Sequence, residues 1–512
     1  MSRYAFVSLI GAMLAISIAS AETIIPGGDV SGTWDISGSP YLIMGDITIQ
    51  SGNTLVVEPG VQVRFELNVG LTVYGSLSAD GTVGDLITFT SNLINPQMND
   101  WAGIEVVDNG VANLIYCEVT YGIISGEADS YAEIEITNSE VCTITDCGRY
   151  LTIDNSVVNG DISSSSEWYH CITITSSVVN GTIYAGTAEC HFSLNTNSGD
   201  IILGYTRDTY IQNCSIYGSI SGGISYIGGS YNISQNTMFG GGINIDHSSE
   251  VHGDITGNVL YDSPNNAISV SHTGHPSLGG SVSILDNTID GGTGGISVTS
   301  TGCDTYFYLD ISGNTITDVS GVAIFASGRM GGGIFDPFST LVENNFIENC
   351  CSTGIYIECF DEVAVSHNTI INASADAILV DNAVSWYRSV SVTAQFNVIS
   401  HSEDEGIAVT NPNAGTEDVI INVVNNSVFD VGNNGVAVIN LIAGSGVFTI
   451  LNNIVSCAGQ YGISLPALGS ANVSYNDVWN SAIGDYSGVT PGIGSISLDP
   501  QFIDPGNGDL NL

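Results

Sequence analysis

Residues 365–381 read VSHNTIINASADAILVD, residues 423–439 read VVNNSVFDVGNNGVAVI, and residues 450–466 read ILNNIVSCAGQYGISLP. Each opens on an apolar residue and carries an asparagine at the fourth position, a second apolar run, a polar turn, then a small residue opening a third run. The small residue stands nine positions after the asparagine: Ala377 after Asn368, Gly435 after Asn426, Gly462 after Asn453. Working outward, the same pattern recurs at ITGNVL (255), ILDNTI (284), ISGNTI (311), VENNFI (342), TAQFNVI (393) and VSYNDV (473), which aligns Asn258, Asn287, Asn314, Asn345, Asn397 and Asn476 with those three. Successive asparagines lie 23 to 31 residues apart.

A repeat of this length is one supersecondary unit that buries its apolar face only by stacking on copies of itself. Its apolar runs, such as AILVD and GIAVT, alternate over four to six residues, which suits strands and is too short for helices. Coiled parallel strands pairing with their equivalents above and below give an all-β solenoid, a parallel β-helix whose variable spacing is absorbed in turns, and the six-residue repeat of a left-handed helix is absent. Asparagine at a fixed bend predicts a ladder of stacked amides. A looser version continues upstream in LIYCEV (114), IEITNSEV (134), LTIDNSVV (151), ITITSSVV (172) and IQNCSIYG (211), with Cys117 and Cys214 near the asparagine column. From about residue 45 to 490, at ~25 residues per coil, this predicts roughly 16–18 coils.

The organisation expected is a signal peptide over 1–21, an N-terminal cap and first coils over 22–95, the β-helix over 96–490 and a C-terminal tail over 491–512. Arg3, the apolar run Ala5–Ile18 and the small-x-small segment Ala19-Ser20-Ala21 carry the first of these, so secretion or display at the cell surface is expected, with no membrane span after the leader is removed. Trp34 and Tyr41 are expected to close the core. The chain has 52 acidic and six basic residues, none of them lysine, for a net charge of −46. Coulomb repulsion opposes nucleic acid and anionic membranes, and opposes uronate polymers unless a divalent cation bridges; Ca²⁺ is the cofactor such a composition would take. Eleven cysteines leave disulfides open, Cys142 with Cys147 or Cys350 or Cys351 with Cys359 among them, beside a stacked thiol role.

GNTLVVEPGVQVRF, from 52, with LTVYGSLSADGTVGDLITFTS, from 71, resembles the opening coils of secreted bacterial right-handed parallel β-helix proteins of pectate-lyase-like fold. LDPQFIDPGNGDLNL, from 498, resembles the tail that follows the last coil in many of them. The resemblance implies the fold and little about activity, because this scaffold carries lyases, hydrolases, epimerases and non-catalytic proteins. The GHG and RIK segments of polygalacturonase-like hydrolases are absent. INIDHSS (243–249) sets Asp246 and His247 where pectate-lyase-like enzymes have a WIDH segment, with Asn244 in place of tryptophan. GIFDPFST (333–340) sets Asp336 and Pro337 where uronan epimerases have DPHD, with Phe338 in place of histidine.

Asp246, His247, His252 and Asp254 are therefore the candidate catalytic residues, as an acid–base or metal-binding group. His252 and His275, and His247 and His272, are about one coil apart and so are expected to stack. Glu403, Asp404 and Glu405 of HSEDEG are the candidate calcium ligands. SEWYHC (166–171) and SWYRSV (385–390) offer Trp168, Tyr169, Trp386, Tyr387 and Arg388 as sugar contacts, with His170 nearby. The function expected is a non-catalytic secreted or surface protein binding an extracellular polysaccharide or cell-surface glycan. The alternatives are a polysaccharide lyase or glycoside hydrolase, and a structural adhesin or envelope spacer.

Overall fold

The computed structural model describes residues 22–512 apart from 128–129, 165–169, 187–188, 225–228, 248–250, 274–279, 302–306, 329–337, 382–389, 411–418, 440–445 and 467–469, and apart from the side chains of Tyr205, Ile224 and Val251. One coil shows the plan. Val390–Gln395 lies in a first sheet (sheet I), Val398–Ser402 in a second (sheet II) and Ile407–Thr410 in a third (sheet III). The chain then returns to sheet I at Val419–Val424, which pairs parallel and in register with Val390–Gln395. Every strand pair is parallel, and each strand bonds to its equivalents one coil before and one coil after. Among the described residues sheet I has 19 strands, and sheets II and III have 20 each. The last two share the long strands Val259–His272 and Thr288–Ser300, so 38 distinct strands join in one continuous sheet.

This exceeds the 16–18 coils expected. The coils begin at Thr23–Ile25 rather than near residue 45, and they shorten in the middle of the chain. Sheet I strands start at Glu133, Tyr150, Cys171, Glu189 and Asp208, only 17 to 21 residues apart. The presumed cap is itself coiled: Gly32–Trp34 is the first strand of sheet I, and Trp34 stacks on Tyr41 with ring centroids 4.7 Å apart, closing the core at that end as expected.

Alternation builds the core. In sheet I strands such as Val390–Gln395 and Gly280–Leu285, the first, third and fifth residues are buried and the others half-exposed, as the two-residue pleat requires. The small residue ahead of each sheet III strand has a steric cause. A Cβ on Gly406 would lie 2.5 Å from the Gly435 carbonyl oxygen, and one on Gly354 2.7 Å from that of Ala377.

The asparagines form the expected ladder. Asn368 Oδ1 accepts from both the backbone N–H and Nδ2 of Asn345, while its own Nδ2 donates to Asn397 Oδ1 (3.0 Å) and the Val342 carbonyl (2.9 Å). The same pattern runs from Asn236 to Asn476, and these side chains are essentially fully buried. The residue before each asparagine takes the left-handed conformation, His367, Phe396 and Asn425 among them, which turns the chain between sheets I and II. Cys117 and Cys214 occupy this column, as expected from their positions. Ser139, Ser156 and Ser177 also do, each Oγ accepting the backbone N–H of the previous rung. Cys142, Cys147, Cys350, Cys351 and Cys359 are free thiols, so neither disulfide considered from the sequence is formed.

Candidate functional site

Outward positions on sheet III bring together residues that no local motif announces. Parallel register stacks Phe325, Tyr356, Leu379 and Ala408 in one column and Ser327, Glu358, Asp381 and Thr410 in the next. The Phe325 and Tyr356 rings lie 5.3 Å apart and tilted, and Tyr356 donates its hydroxyl to Glu358 Oε2 at 2.9 Å. Burial, then the Glu358 and Asp381 charges, push the Tyr356 phenol well above its ordinary range, so it stays a donor. The result is a half-buried aromatic pair flanked by two carboxylates one rung apart. The strand Ile378–Asp381 leads directly into residues 382–389, which contain Trp386, Tyr387 and Arg388. Those three, like Trp168, Tyr169, His275 and Asp336, lie outside the described residues.

The sequence motif IDH is split by the pleat. Asp246 is exposed on the outer face of sheet III, whereas His247 points into the core at 1% exposure. There its Nδ1 lies 3.0 Å from Nδ1 of His272, the stacking expected from their spacing, and its Nε2 lies 3.3 Å from the Tyr231 hydroxyl. Gly253 leaves room for the Tyr231 ring, which a Cβ there would strike. Burial pulls His247 down to about 3 and His272 down to about 4, so both are neutral at physiological pH. His252 and Asp254 stand two residues apart on the outer face of sheet I, where the His252 ring bonds Ser281 Oγ at 2.7 Å. The four candidate catalytic residues thus divide among the core and two different sheets, and do not form one site. His170 is buried against the Gly148 carbonyl, and Phe338 is a core residue of sheet I.

The HSEDEG turn, between sheets II and III, forms a second ladder. Asp376 Oδ1 accepts the Glu405 N–H (3.0 Å), Glu405 accepts the N–H and Nδ2 of Asn434, and Asn434 Oδ1 accepts the Tyr461 N–H (3.2 Å). Asp404 accepts from Asn433 Nδ2 in parallel. Burial raises the Glu405 and Asp376 carboxyls above the usual carboxylate range. Glu403 is exposed, and among the described residues these carboxylates form no ion-sized cluster. Nearby, the C-terminal tail folds back onto sheet II: Ser400 Oγ donates to the Pro505 carbonyl (2.9 Å), and Phe502 meets Phe429 edge-on at 6.1 Å. Ser400 and His401 with Asp430 resemble a nucleophile–base–acid line, but Ser400 is 1% exposed and its proton is committed to the tail.

Residues 241–417 match the family model for a right handed beta helix region. The protein is a right-handed β-helix. The matched stretch holds the Tyr356–Glu358–Asp381 group, and the ladders carry the same architecture beyond both of its ends. A segment of 82 residues is 39% identical to the protein bark beetle of Drosophila melanogaster, covering 16% of this β-helix and 3% of the fly protein. No solved structure gives a significant match. No helix among the described residues is long and apolar enough to cross a membrane.

The sheet III group of this β-helix was missed in the sequence because successive members of a column are 23 to 31 residues apart. The signal was nonetheless present: Ser327, Glu358, Asp381 and Thr410 each stand 13 positions after a ladder asparagine, and Phe325 and Tyr356 stand 11 after one. Reading offsets from the asparagine column would have stacked them.

Proposed function

We propose that the protein is a secreted or cell-surface rod that binds an extended extracellular polysaccharide along the outer face of sheet III without cleaving it. What carries this reading is the Phe325–Tyr356 column beside the Ser327–Glu358–Asp381–Thr410 column. A sugar ring packs its apolar face on an aromatic side chain while its hydroxyls bond to carboxylates and hydroxyls alongside. The solenoid repeats such positions along its axis, which suits a repeating polymer, and Trp386, Tyr387 and Arg388 follow directly in sequence. The leader-like residues 1–21 support export. The net charge of −46 favours a neutral glycan, or an acidic one with Ca²⁺ between the two surfaces.

One observation favours a second reading, a glycan-cleaving enzyme. Glu358 and Asp381 occupy one column in adjacent rungs, ~4.8 Å apart along the axis. Glycoside hydrolysis uses two such carboxyl groups, whose separation decides between retention and inversion.

The deciding experiment uses the exported chain with neutral and uronate polysaccharides, with and without Ca²⁺. It measures retention by affinity electrophoresis, and new reducing ends or unsaturated sugars. Retention without new ends, weakened about threefold to tenfold by Tyr356→Ala, is the expected result, an aromatic contact contributing ~0.5–1.5 kcal/mol. New ends that vanish in Glu358→Gln replace it with the enzyme reading. Neither retention nor cleavage overturns both and leaves an adhesin or spacer.

A further inference from the structure

On the outer face of sheet I, far along the chain from the sheet III group, register brings three different ligand types together. Cys171 opens the strand Cys171–Thr175 and stacks on Glu189, which opens Glu189–Ser193; His191 follows Glu189 two positions on, pointing the same way. The Cys171 sulfur, a Glu189 carboxylate oxygen and a His191 ring nitrogen all lie within 4.8 Å of one another, and this is the ion-sized group of such side chains among the described residues. We propose that Cys171, Glu189 and His191 bind a zinc-class divalent cation.

Thiolate, imidazole and carboxylate together are the donor set of zinc, whereas Ca²⁺ and Mg²⁺ take oxygen alone. Zinc bonds of ~2.0–2.3 Å space tetrahedral ligand atoms ~3.3–3.8 Å apart, so small side-chain rotations close these three on an ion. The His191 ring is already held, lying flat on Tyr210 with centroids 4.9 Å apart. The surplus of acidic groups raises the local concentration of any cation. Three protein ligands leave a fourth position. Water or a ligand oxygen would complete the shell, and His191 also lines a shallow cleft of about 370 Å³ with Thr173, Thr175, Tyr210 and Gln212. A thiol binds the ion as thiolate, so uptake releases its proton to solvent and affinity rises with pH.

The test uses the full chain, stripped of metal by a chelator and reduced with a phosphine, and titrated with Co²⁺ as the probe. The expected result is one equivalent bound, with a near-ultraviolet thiolate-to-cobalt charge-transfer band that Zn²⁺ displaces. Cys171→Ser removes the band, Cys351→Ser leaves it, and His191→Gln and Glu189→Gln each weaken Co²⁺ binding by more than roughly tenfold, the loss that even an outer partner's removal brings. A missing band at stoichiometric Co²⁺ overturns the proposal, as does a band that persists in Cys171→Ser. Should Cys171→Ser fail to fold, His191→Gln decides alone, since an unchanged titration there overturns it equally. Loss of this site and loss of glycan retention are separate outcomes, because Tyr356→Ala leaves the metal ligands in place.

Discussion

Truncating one rung of the asparagine ladder measures how much the buried amides contribute to the rod. Asn368 is fully buried and makes four side-chain hydrogen bonds. Asn368→Ala strands the Asn345 N–H, removes one acceptor from the Asn345 amide, and removes one donor from the Val342 carbonyl, which keeps its partner in the sheet ladder. Asn397 Oδ1 keeps the bond from the backbone N–H of residue 368. At ~1–3 kcal/mol for the stranded N–H and ~0.5–1.5 kcal/mol for each of the two other lost bonds, the loss is about 2–6 kcal/mol. Asn349 supplies the control. It bonds Asp318 and Asn372 in a similar column, but in solvent, and its backbone is left-handed (φ 56°), so Asn349→Gly, which removes the side chain without strain, should cost under ~0.5 kcal/mol. A solenoid need not unfold in one step, so the readout is native-state hydrogen exchange of amides in the coils around residues 340–400 rather than a single melting temperature. Protection there should fall by about 30-fold or more in Asn368→Ala and scarcely change in Asn349→Gly. Asn368→Asp sharpens the comparison. It keeps the acceptor toward Asn345 but sets a carboxylate against the Val342 carbonyl and Asn397 Oδ1, so its folded pKa is raised and its stability recovers as pH falls through that value. Equal protection in the buried and exposed variants would refute the assignment of stability to the ladder.

Three further outcomes follow from burial and contact. Burial pushes the Cys117 and Cys147 thiols up to about 12, so alkylation at pH 8 followed by mass spectrometry should label exposed Cys351 in the native chain, and those two only after unfolding; equal rates would contradict it. The depressed His247 and His272 make the unfolded chain bind more protons than the folded one between its histidine pKa of ~6.5 and the folded values. Stability to urea should therefore decline as pH falls below ~6.5, and His247→Leu with His272→Leu should flatten that decline. Phe502→Ala combined with Ser400→Ala removes one aromatic contact and one hydrogen bond, about 1–3 kcal/mol together. Limited proteolysis at 498–512 should accelerate while the exchange protection of the coils holds; unchanged cleavage would mean the tail is secured elsewhere.

The fold was legible because its determinants repeat. Asn258 through Asn476, the small residues after them and the alternating runs each state the coil again, so a chance match at one position is outvoted by the rest. What was missed is where the repeat changes chemistry without changing shape. Ser139, Ser156 and Ser177 supply the acceptor half of an asparagine while returning their own proton to a nearby carbonyl, as Ser156 does to Asp154 at 2.7 Å. A hydroxyl therefore fills the rung, yet serine is too common in turns to mark it. Shorter coils between 133 and 229 concealed extra rungs for a related reason: a strand pair such as Glu140–Val141 with Val157–Val158 is only two residues long, below what alternation can reveal.

The candidate site was far less legible, and the pleat explains why. Residues adjacent in sequence face opposite ways, so Asp246 and His247 look like a pair and are separated by the sheet itself, one in solvent and one against Tyr231 and His272. Residues that do meet are one coil apart, 23 for Glu358 and Asp381 and 18 for Cys171 and Glu189, and that offset varies from coil to coil. A motif search at fixed spacing is blind to such pairs. The column of buried side chains removes the difficulty, because it numbers every coil from a common origin. Glu189 and His191 lie six and four positions before Asn195, and Cys171 lies six before Ser177, so the three ligand types fall into two neighbouring outward positions once that column is used as the ruler. In a β-helix the core ladder thus does more than hold adjacent coils in register. It also fixes which surface residues can share a ligand, so lengthening one turn between two ladder positions displaces only that turn, whereas shifting a ladder residue by one would turn that coil's outward residues inward.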